Sequence, residues 1–431
     1  MLPYVEHMDR DPYVPQVIDG IRKLQVYLRQ YLPWYKGDLF NILNGLSDSV
    51  GPIRPWTLEE VLELKEGLKK KQYLKAMQYL QMHDLKPKHS KVTSFVKIER
   101  MDANKDKPPR LIQSRTPEYT MLLQTFIKPF EEALQNVEDP ITNKGMDLDA
   151  TYDLLSSMES YPAGDAYALL DHDAFDSSIN RLLLYCEHYV YLRAHNYDLV
   201  LAKLLSKQQV NKCSTHDKRV KWLTDATRMS GDCNTAVGNT IVNKVYIEIL
   251  MLAIKHCEVI CGDDSVIKFP CDYTNIVEDR LEHMNGLLLK TKYRITDSFE
   301  DIDYCQLYPD VLKETMVKDA YRTISRSTIC THPQVTDEKG LMQWMQAYYM
   351  SNIQLIQSPI ATYISRFNTG VKVNPIYFEK QQWRHGDRIP LYSSFYDHSL
   401  SVTANGINQH SRFPDMIMAC DPTTGYYECR H

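Results

Sequence analysis

The sequence predicts a helix-rich mixed α/β fold of the α+β kind, and three observations predict it. The chain has 431 residues, 43% of them hydrophobic and 24% charged, enough apolar material for a large buried core. Apolar residues recur at helical spacing through several long stretches. Between these lie short β-branched and apolar runs of strand length, two of which end in acids.

Taken in order, helical periodicity covers 15–31, 57–83, 119–133, 178–194, 234–255 and 274–284. Strands are expected at 92–98, 167–171, 257–261, 265–269 and 290–296. Past Tyr304 a further helical pattern covers 339–356, and from Asn368 onward a Tyr-, Asn- and Pro-rich stretch carries no readable period. There is no internal repeat, no low-complexity tract and no Gly/Ser linker. The 21 prolines are dispersed, so one continuous architecture is expected.

No stretch reaches the roughly 18 apolar residues that span a bilayer, and residues 1–11 have neither a basic nor an apolar signal region. The ten cysteines are scattered instead of forming a dense framework, which points to reduced thiols and a cytosolic setting. Cys257, Cys261 and Cys271 with His256 and His283 make no zinc quartet of standard spacing, and a strand cysteine packs as a small apolar residue. The net charge of −5 conceals a segregation. Residues 65–115 carry fourteen Lys and Arg against five acids, a surplus of +9 that leaves −14 for the rest. That segment suits a polyanion, or else Lys69, Lys70, Lys71 and Lys75 are a solvated helix face.

The stretch from Val259 to Ile267 sets Gly262, Asp263 and Asp264 in a tight turn between two apolar strands. It reads either as an ordinary surface turn or as adjacent carboxylates whose repulsion calls for a cation. Upstream, an apolar strand from Tyr167 runs into Asp171, with Asp173 and Asp176 ahead of a helix. Asp173 and Asp176 are open to a second reading as helix-start acids. Asp171, Asp263 and Asp264 together offer hard oxygen ligands for two Mg²⁺ ions about 3.5–4 Å apart, one to activate a 3′-hydroxyl and one to steady pyrophosphate. A third segment, Arg228 to Asn239, opens a long helix on which Thr235 and Asn239 share a face. A site that tells ribose from deoxyribose needs donors and acceptors at the 2′-hydroxyl, and Asp176, Ser230, Thr235 and Asn239 are the candidates. Standing alone, Ser230 would cap the helix and Thr235 and Asn239 would lie in a helix groove.

In this order Asp-x4-Asp at 171–176, Ser-Gly-x3-Thr-x3-Asn at 230–239 and Gly-Asp-Asp at 262–264 resemble motifs A, B and C of the viral RNA-dependent RNA polymerases. Arg228-Met-Ser-Gly-Asp-Cys-Asn-Thr and Cys261-Gly-Asp-Asp are most similar to the tombusvirus-like polymerases of positive-strand RNA viruses. Phe95-Val-Lys-Ile-Glu-Arg100 and Lys107-Pro-Pro-Arg-Leu-Ile-Gln-Ser-Arg115 resemble that family's basic motif F. The likeness covers about 55–306 and implies a right-hand polymerase with fingers, an antiparallel palm sheet and a thumb. On that pattern 1–165 is an N-terminal extension and fingers, 166–310 a palm with a fingers insertion at about 195–228, and 311–431 thumb and tail.

The resemblance further implies two Mg²⁺ or Mn²⁺ ions on Asp171, Asp263 and Asp264, and Lys97, Arg110 and Arg115 along the path of the incoming nucleoside triphosphate. Gly286-Leu-Leu-Leu-Lys290 is similar to motif D, which makes Lys290 the proton donor to pyrophosphate, with Lys292 the runner-up. Asp303-Tyr-Cys-Gln306 is similar to the primer-grip motif E, although Cys305 is equally a small core residue. Asp173 is an acid where these relatives usually have none. The implied partners are RNA template and product, nucleoside triphosphates, and viral or host replication proteins, at host cytoplasmic membranes reached through a partner. Two competitors differ in sequence. A reverse transcriptase typically carries an aromatic residue two places before the paired acids, where this chain has Cys261, and a silent RNA-binding scaffold would be expected to have lost one of the three acids.

Overall fold

The computed structural model describes residues 12–97, 108–137, 140–158, 166–327, 330, 335–352 and 360–372, with the backbone of two short strands at Ile417–Cys420 and Tyr427–Arg430. The expected elements over 98–107 and 353–356, and most of the stretch after Asn368, lie outside these residues. Two compact units divide the chain. One takes in the described parts of Met1–Lys97, Pro108–Asn143 and Met158–Ser298, the other those of Lys144–Ser157 and Phe299–His431.

The first unit is built around a helix at Arg181–Ala194, eleven of whose fourteen residues are buried. The helix Tyr13–Tyr31 lies against it through Val14, Val17, Ile21, Leu24 and Leu28, one stripe at i, i+3 and i+4 spacing. Gly20 permits their close approach, because a Cβ there would lie 2.1 Å from Tyr185 Cδ2. Leu39–Val50, Pro117–Gln135 and Thr235–Leu250 pack on the same central helix, and one apolar cluster joins them all. Each large aliphatic or Phe side chain fully buried there contributes about 1.5–3 kcal/mol.

Two four-stranded sheets complete this unit. In the first, β1 (Val92–Val96) pairs antiparallel with β2 (Leu111–Ser114) and parallel with β4 (Val210–Thr215), which pairs antiparallel with β5 (Lys221–Asp225). The second, wholly antiparallel, runs in the order β6 (Cys257–Cys261), β7 (Asp264–Phe269), β3 (Ala166–His172) and β8 (Thr291–Thr296). As its central strand β3 is buried at every position except Asp171.

Several expected elements differ in extent. The helix expected over 57–83 is two, Leu58–Glu63 and Gly67–Met82. Thr57 and Glu60 form a reciprocal capping box on the first, and Gly67 breaks the run at φ +52°. The helix expected over 234–255 ends at Leu250. The one expected over 178–194 starts at Arg181, where Asn180 accepts from the Leu182 and Leu183 amides, behind a separate turn at Phe175–Ser178. Leu39–Val50, Leu199–Ser206, β2, β4 and β5 were not foreseen.

In the second unit Leu148–Ser157 packs on a hairpin of β9 (Leu307–Asp310) and β10 (Thr315–Lys318). Leu341, Trp344, Tyr348, Ile364 and Phe367 make a separate small core on the helices Glu338–Met350 and Ala361–Ser365. At the expected motif E turn, Tyr304 and Leu307 exchange both backbone hydrogen bonds at 2.9 Å across Cys305 and Gln306, which take φ of +53° and +66°. No helix of the described residues is long and apolar enough to cross a membrane.

Candidate active site

Strand register brings the acids together. Asp171 at the end of β3 lies directly across from Asp264 on β7, and Asp264 in turn pairs with Cys261 on β6. Gly262 and Asp263 are then the two turn residues of the β6–β7 hairpin. Gly262 takes φ of +67°, as two-residue hairpin turns with glycine first require. Asp263 therefore projects from the hairpin tip beside the end of β3.

The turn is clamped from the Thr235–Leu250 helix. The Gly262 amide donates to Thr240 Oγ1 at 3.1 Å, and Asn243 Nδ2 donates to the Gly262 carbonyl at 3.1 Å. Asn243 Oδ1 accepts from His172 Nε2 at 3.0 Å, and His172 Nδ1 meets Thr291 Oγ1 at 2.9 Å. Burial pushes the His172 imidazole down to about 4, so it is neutral and has one donor and one acceptor nitrogen, as this chain of bonds needs.

Asp263 registers its neighbours. Dehydration by the surrounding protein raises its carboxyl above the ordinary range, the charges of Asp176 and Asp171 raise it further, and its own backbone hydrogen bond and Arg110 oppose them. Three acids thus share one electrostatic field with a cation at its edge. Carboxylate oxygens are the donors hard divalent ions prefer, and a cation would relieve this crowding. Among the described residues no three acidic, His or Cys side chains are already closed to metal-binding spacing.

Asp176 accepts from Asn239 Nδ2 at 2.8 Å through Oδ1, and its carbonyl accepts from the Arg228 amide at 2.8 Å. The chain reaches this contact through Ala174, Ala226 and Thr227, which are non-glycine residues at φ of +52°, +52° and +59°. Such left-handed residues cluster where a fold re-aims functional side chains.

The hydroxyls of Ser230 and Thr235 are both bonded to backbone groups. Ser230 Oγ donates to the Leu111 carbonyl at 2.9 Å and accepts from the Gln113 amide at 3.3 Å, tying its loop to β2. Thr235 Oγ1 lies 3.0 and 2.9 Å from the Met229 and Asp232 carbonyls and braces the loop from within. Ser230 does not cap the helix, since Asn234 holds that position.

Arg115 lies behind the same loop. Its guanidinium is buried, with Nε 2.8 Å from Asp232 Oδ1 and further bonds to the Ser90 carbonyl at 2.6 Å and Asn211 Oδ1 at 2.5 Å. With three partners it anchors the loop. Arg110 is exposed, and its carbonyl accepts from the Lys97 amide at 2.8 Å. Lys290 and Lys292 both approach Asp173, at 3.7 and 3.5 Å, and the Asp173 amide donates to the Lys290 carbonyl at 2.8 Å.

Thr240, Asn243, His172, Glu187 and Asp232 were missed by sequence reasoning. A signal for two of them was present: Thr235, Asn239 and Asn243 recur every four residues, with Thr240 beside them, in a largely apolar helix.

This geometry meets an independent likeness. A family profile described as "Viral RNA dependent RNA polymerase" matches residues 25–412. The chain belongs to that family. Membership implies the polymerase fold, and polymerases of this family generally use divalent metal ions. Among relatives, the RNA-directed RNA polymerase of turnip crinkle virus is 30% identical over 285 residues, 62% of this chain and 36% of that protein. That of groundnut rosette virus (strain MC1) is 28% identical over 314 residues, 68% of this chain and 36% of the relative. That of pothos latent virus (isolate Pigeonpea/India) is 27% identical over 359 residues, 79% and 47%. The chain thus spans between about a third and a half of the length of these relatives.

Proposed function

We propose that the chain catalyses RNA-directed RNA synthesis, joining a 3′-hydroxyl to the α-phosphate of a template-paired ribonucleoside triphosphate with release of pyrophosphate. The observation that carries this is the convergence of Asp171 at a strand end, Asp263 in the hairpin turn and Asp176 in the turn after β3, with Asn239 bonded to Asp176. Asp171, Asp263 and Asp264 are the residues to hold two Mg²⁺ or Mn²⁺ ions. Such ions lower the pKa of the attacking hydroxyl and offset charge on the leaving pyrophosphate.

The remaining roles belong to the chain's own side chains. Asp176 and Asn239 offer an acceptor and a donor to the ribose 2′-hydroxyl. Arg110, with Lys97 across the same ladder, attracts the triphosphate. Ser230, Thr235 and Arg115 hold the loop that leads into the helix bearing Asn239. Lys290, or Lys292 beside it, donates a proton to pyrophosphate as it leaves, and Asp173 restrains both amines.

In right-hand terms the β6-β7-β3-β8 sheet is the palm, the β2-β1-β4-β5 sheet belongs to the fingers, and residues after 310 form the thumb. RNA template, RNA product and nucleoside triphosphates are the ligands. Viral or host replication proteins bring the chain to cytoplasmic membranes.

Incorporation of labelled ribonucleotides on a single-stranded RNA template with Mg²⁺ or Mn²⁺ tests the reading. Synthesis is expected from this chain and not from Asp263→Ala, a substitution at an exposed turn that leaves the clamped Gly262 in place. A folded chain that binds RNA and makes no product would replace the polymerase with a scaffold.

A further inference from the structure

A buried ion pair stands behind the Asp176–Asn239 bond. The Arg228 side chain is 1% exposed and that of its partner Glu187 is 0% exposed. Arg228 Nη1 donates to Glu187 Oε1 at 3.1 Å, Nη2 donates to Oε2, and Nε donates to Asn239 Oδ1 at 3.0 Å. Asn234 Nδ2 adds a bond to Glu187 Oε1 at 2.7 Å. Gly238 makes room for the pair, since a Cβ there would lie 2.2 Å from Glu187 Oε1 and 2.6 Å from Arg228 Nη2.

A carboxamide has two ends of nearly the same shape and opposite hydrogen-bonding sense. A guanidinium only donates, so Arg228 admits only Oδ1 of Asn239, and Nδ2 is left facing Asp176. A flipped amide would set oxygen against the Asp176 carboxylate and nitrogen against the guanidinium, two repulsive contacts. The backbone joins in, because the Arg228 amide also holds the Asp176 carbonyl.

We propose that Glu187 and Arg228 are positioning residues for sugar selection: they lock the Asn239 amide so that Asn239 and Asp176 meet the 2′-hydroxyl as a fixed donor and acceptor. This rests on the polymerase reading above and adds the residues that enforce its ribose preference. Neither residue touches the nucleotide. Discrimination built on hydrogen bonds to a hydroxyl depends on how rigidly its partners are held, because a loosened amide no longer penalises the sugar that lacks it.

The test is the ratio of kcat/KM for ATP over dATP opposite template uracil on single-stranded RNA, for the full chain and for Arg228→Lys, Glu187→Gln and Asn239→Ala. Arg228→Lys keeps a charge opposite Glu187 but lacks the planar fork that reaches carboxylate and amide together. The ratio is expected to fall about tenfold in Arg228→Lys, through a relative gain in dATP use, together with a lower thermal midpoint, because the lysine leaves a buried acceptor without its donor. In the Asn239→Ala background, Arg228→Lys should change the ratio no further, because both act through one amide. Equal proportional losses with ATP and dATP in Arg228→Lys, or in the isosteric Glu187→Gln should the lysine variant not fold, would reduce the pair to a structural support and overturn the inference. If the parent chain incorporates neither nucleotide, the polymerase reading itself falls, and the sugar-selection role falls with it.

Discussion

At Gly262 one residue decides where the paired acids point. Its amide and carbonyl are both held by one helix, through Thr240 and Asn243, and Asn243 is fully buried. Asn243→Ala removes the donor to the Gly262 carbonyl and the acceptor for His172 in one step. Each buried polar group left unpaired costs about 1–3 kcal/mol, so denaturant unfolding should show a loss in that range or above it. Ribonucleotide incorporation should fall roughly 10- to 100-fold, as when the outer partners of metal-site residues are removed. Parent-like values on both measurements would mean that the hairpin holds its own turn. Asp171, Asp263 and Asp264 were legible in the sequence because each is fixed by local grammar, a strand end or a glycine turn. The settings of Ser230 and Arg115 were not legible. They depend on the Leu111 carbonyl and on Asp232, 119 and 117 residues away along the chain.

The Thr235–Leu250 helix serves three structures at once: the hairpin turn, the Asp176–Asn239 bond and the buried pair. Gly238 is the position where those demands oppose helix propensity. Alanine is about 1 kcal/mol better than glycine inside a helix, so propensity alone predicts that Gly238→Ala stabilises. The added methyl, however, would lie 2.2 Å from Glu187 Oε1 and 2.6 Å from Arg228 Nη2, both fixed in a buried ion pair with nowhere to retreat. Overpacking of this kind costs about 1–3 kcal/mol and separating a buried pair costs more, so a net loss of stability is expected in urea unfolding. A stabilised variant would show that the pair can shift without penalty. Element reading from sequence succeeded where periodicity was long, as at Tyr13–Tyr31 and Thr274–Met284. It joined Leu58–Glu63 to Gly67–Met82 because apolar spacing carries across a single left-handed glycine. It passed over β4 and β5, whose alternating exposed positions include Val210 and Leu223, so their sequence lacks a clean apolar face.

Across the whole first unit, a polar network threads an otherwise apolar core. Tyr13 of the N-terminal helix bonds His188 Nδ1 at 2.6 Å, His188 Nε2 meets Gln208 Oε1 at 3.1 Å, and Gln208 Nε2 reaches Asp232 and Asn234, which lead to Arg115 and Glu187. Gln208 offers His188 an acceptor, so Nε2 carries the proton and Nδ1 accepts from the Tyr13 hydroxyl, which itself accepts from Gln209 Nε2. That arrangement requires neutral imidazole, and burial pushes His188 down to about 4. His195 is lowered by the same cause. An unfolded histidine titrates near ~6.5, so as pH falls from there toward about 4 the unfolded chain takes up a proton that folded His188 refuses. The stabilisation is therefore complete above the unfolded value and is lost as the solution is acidified through that window, by about 3 kcal/mol for His188 at the low end. Urea unfolding at half-unit steps from pH 7 to 4.5 should show stability declining with falling pH, and His188→Gln should be less stable at pH 7 yet lose about one proton's worth of that slope. An unchanged slope in the variant would move the acid sensitivity from this hub to other groups. A parallel loss of the pH slope and of the Tyr13 contact would show that the Tyr13–Tyr31 helix is held to the core of this unit by an uncharged histidine.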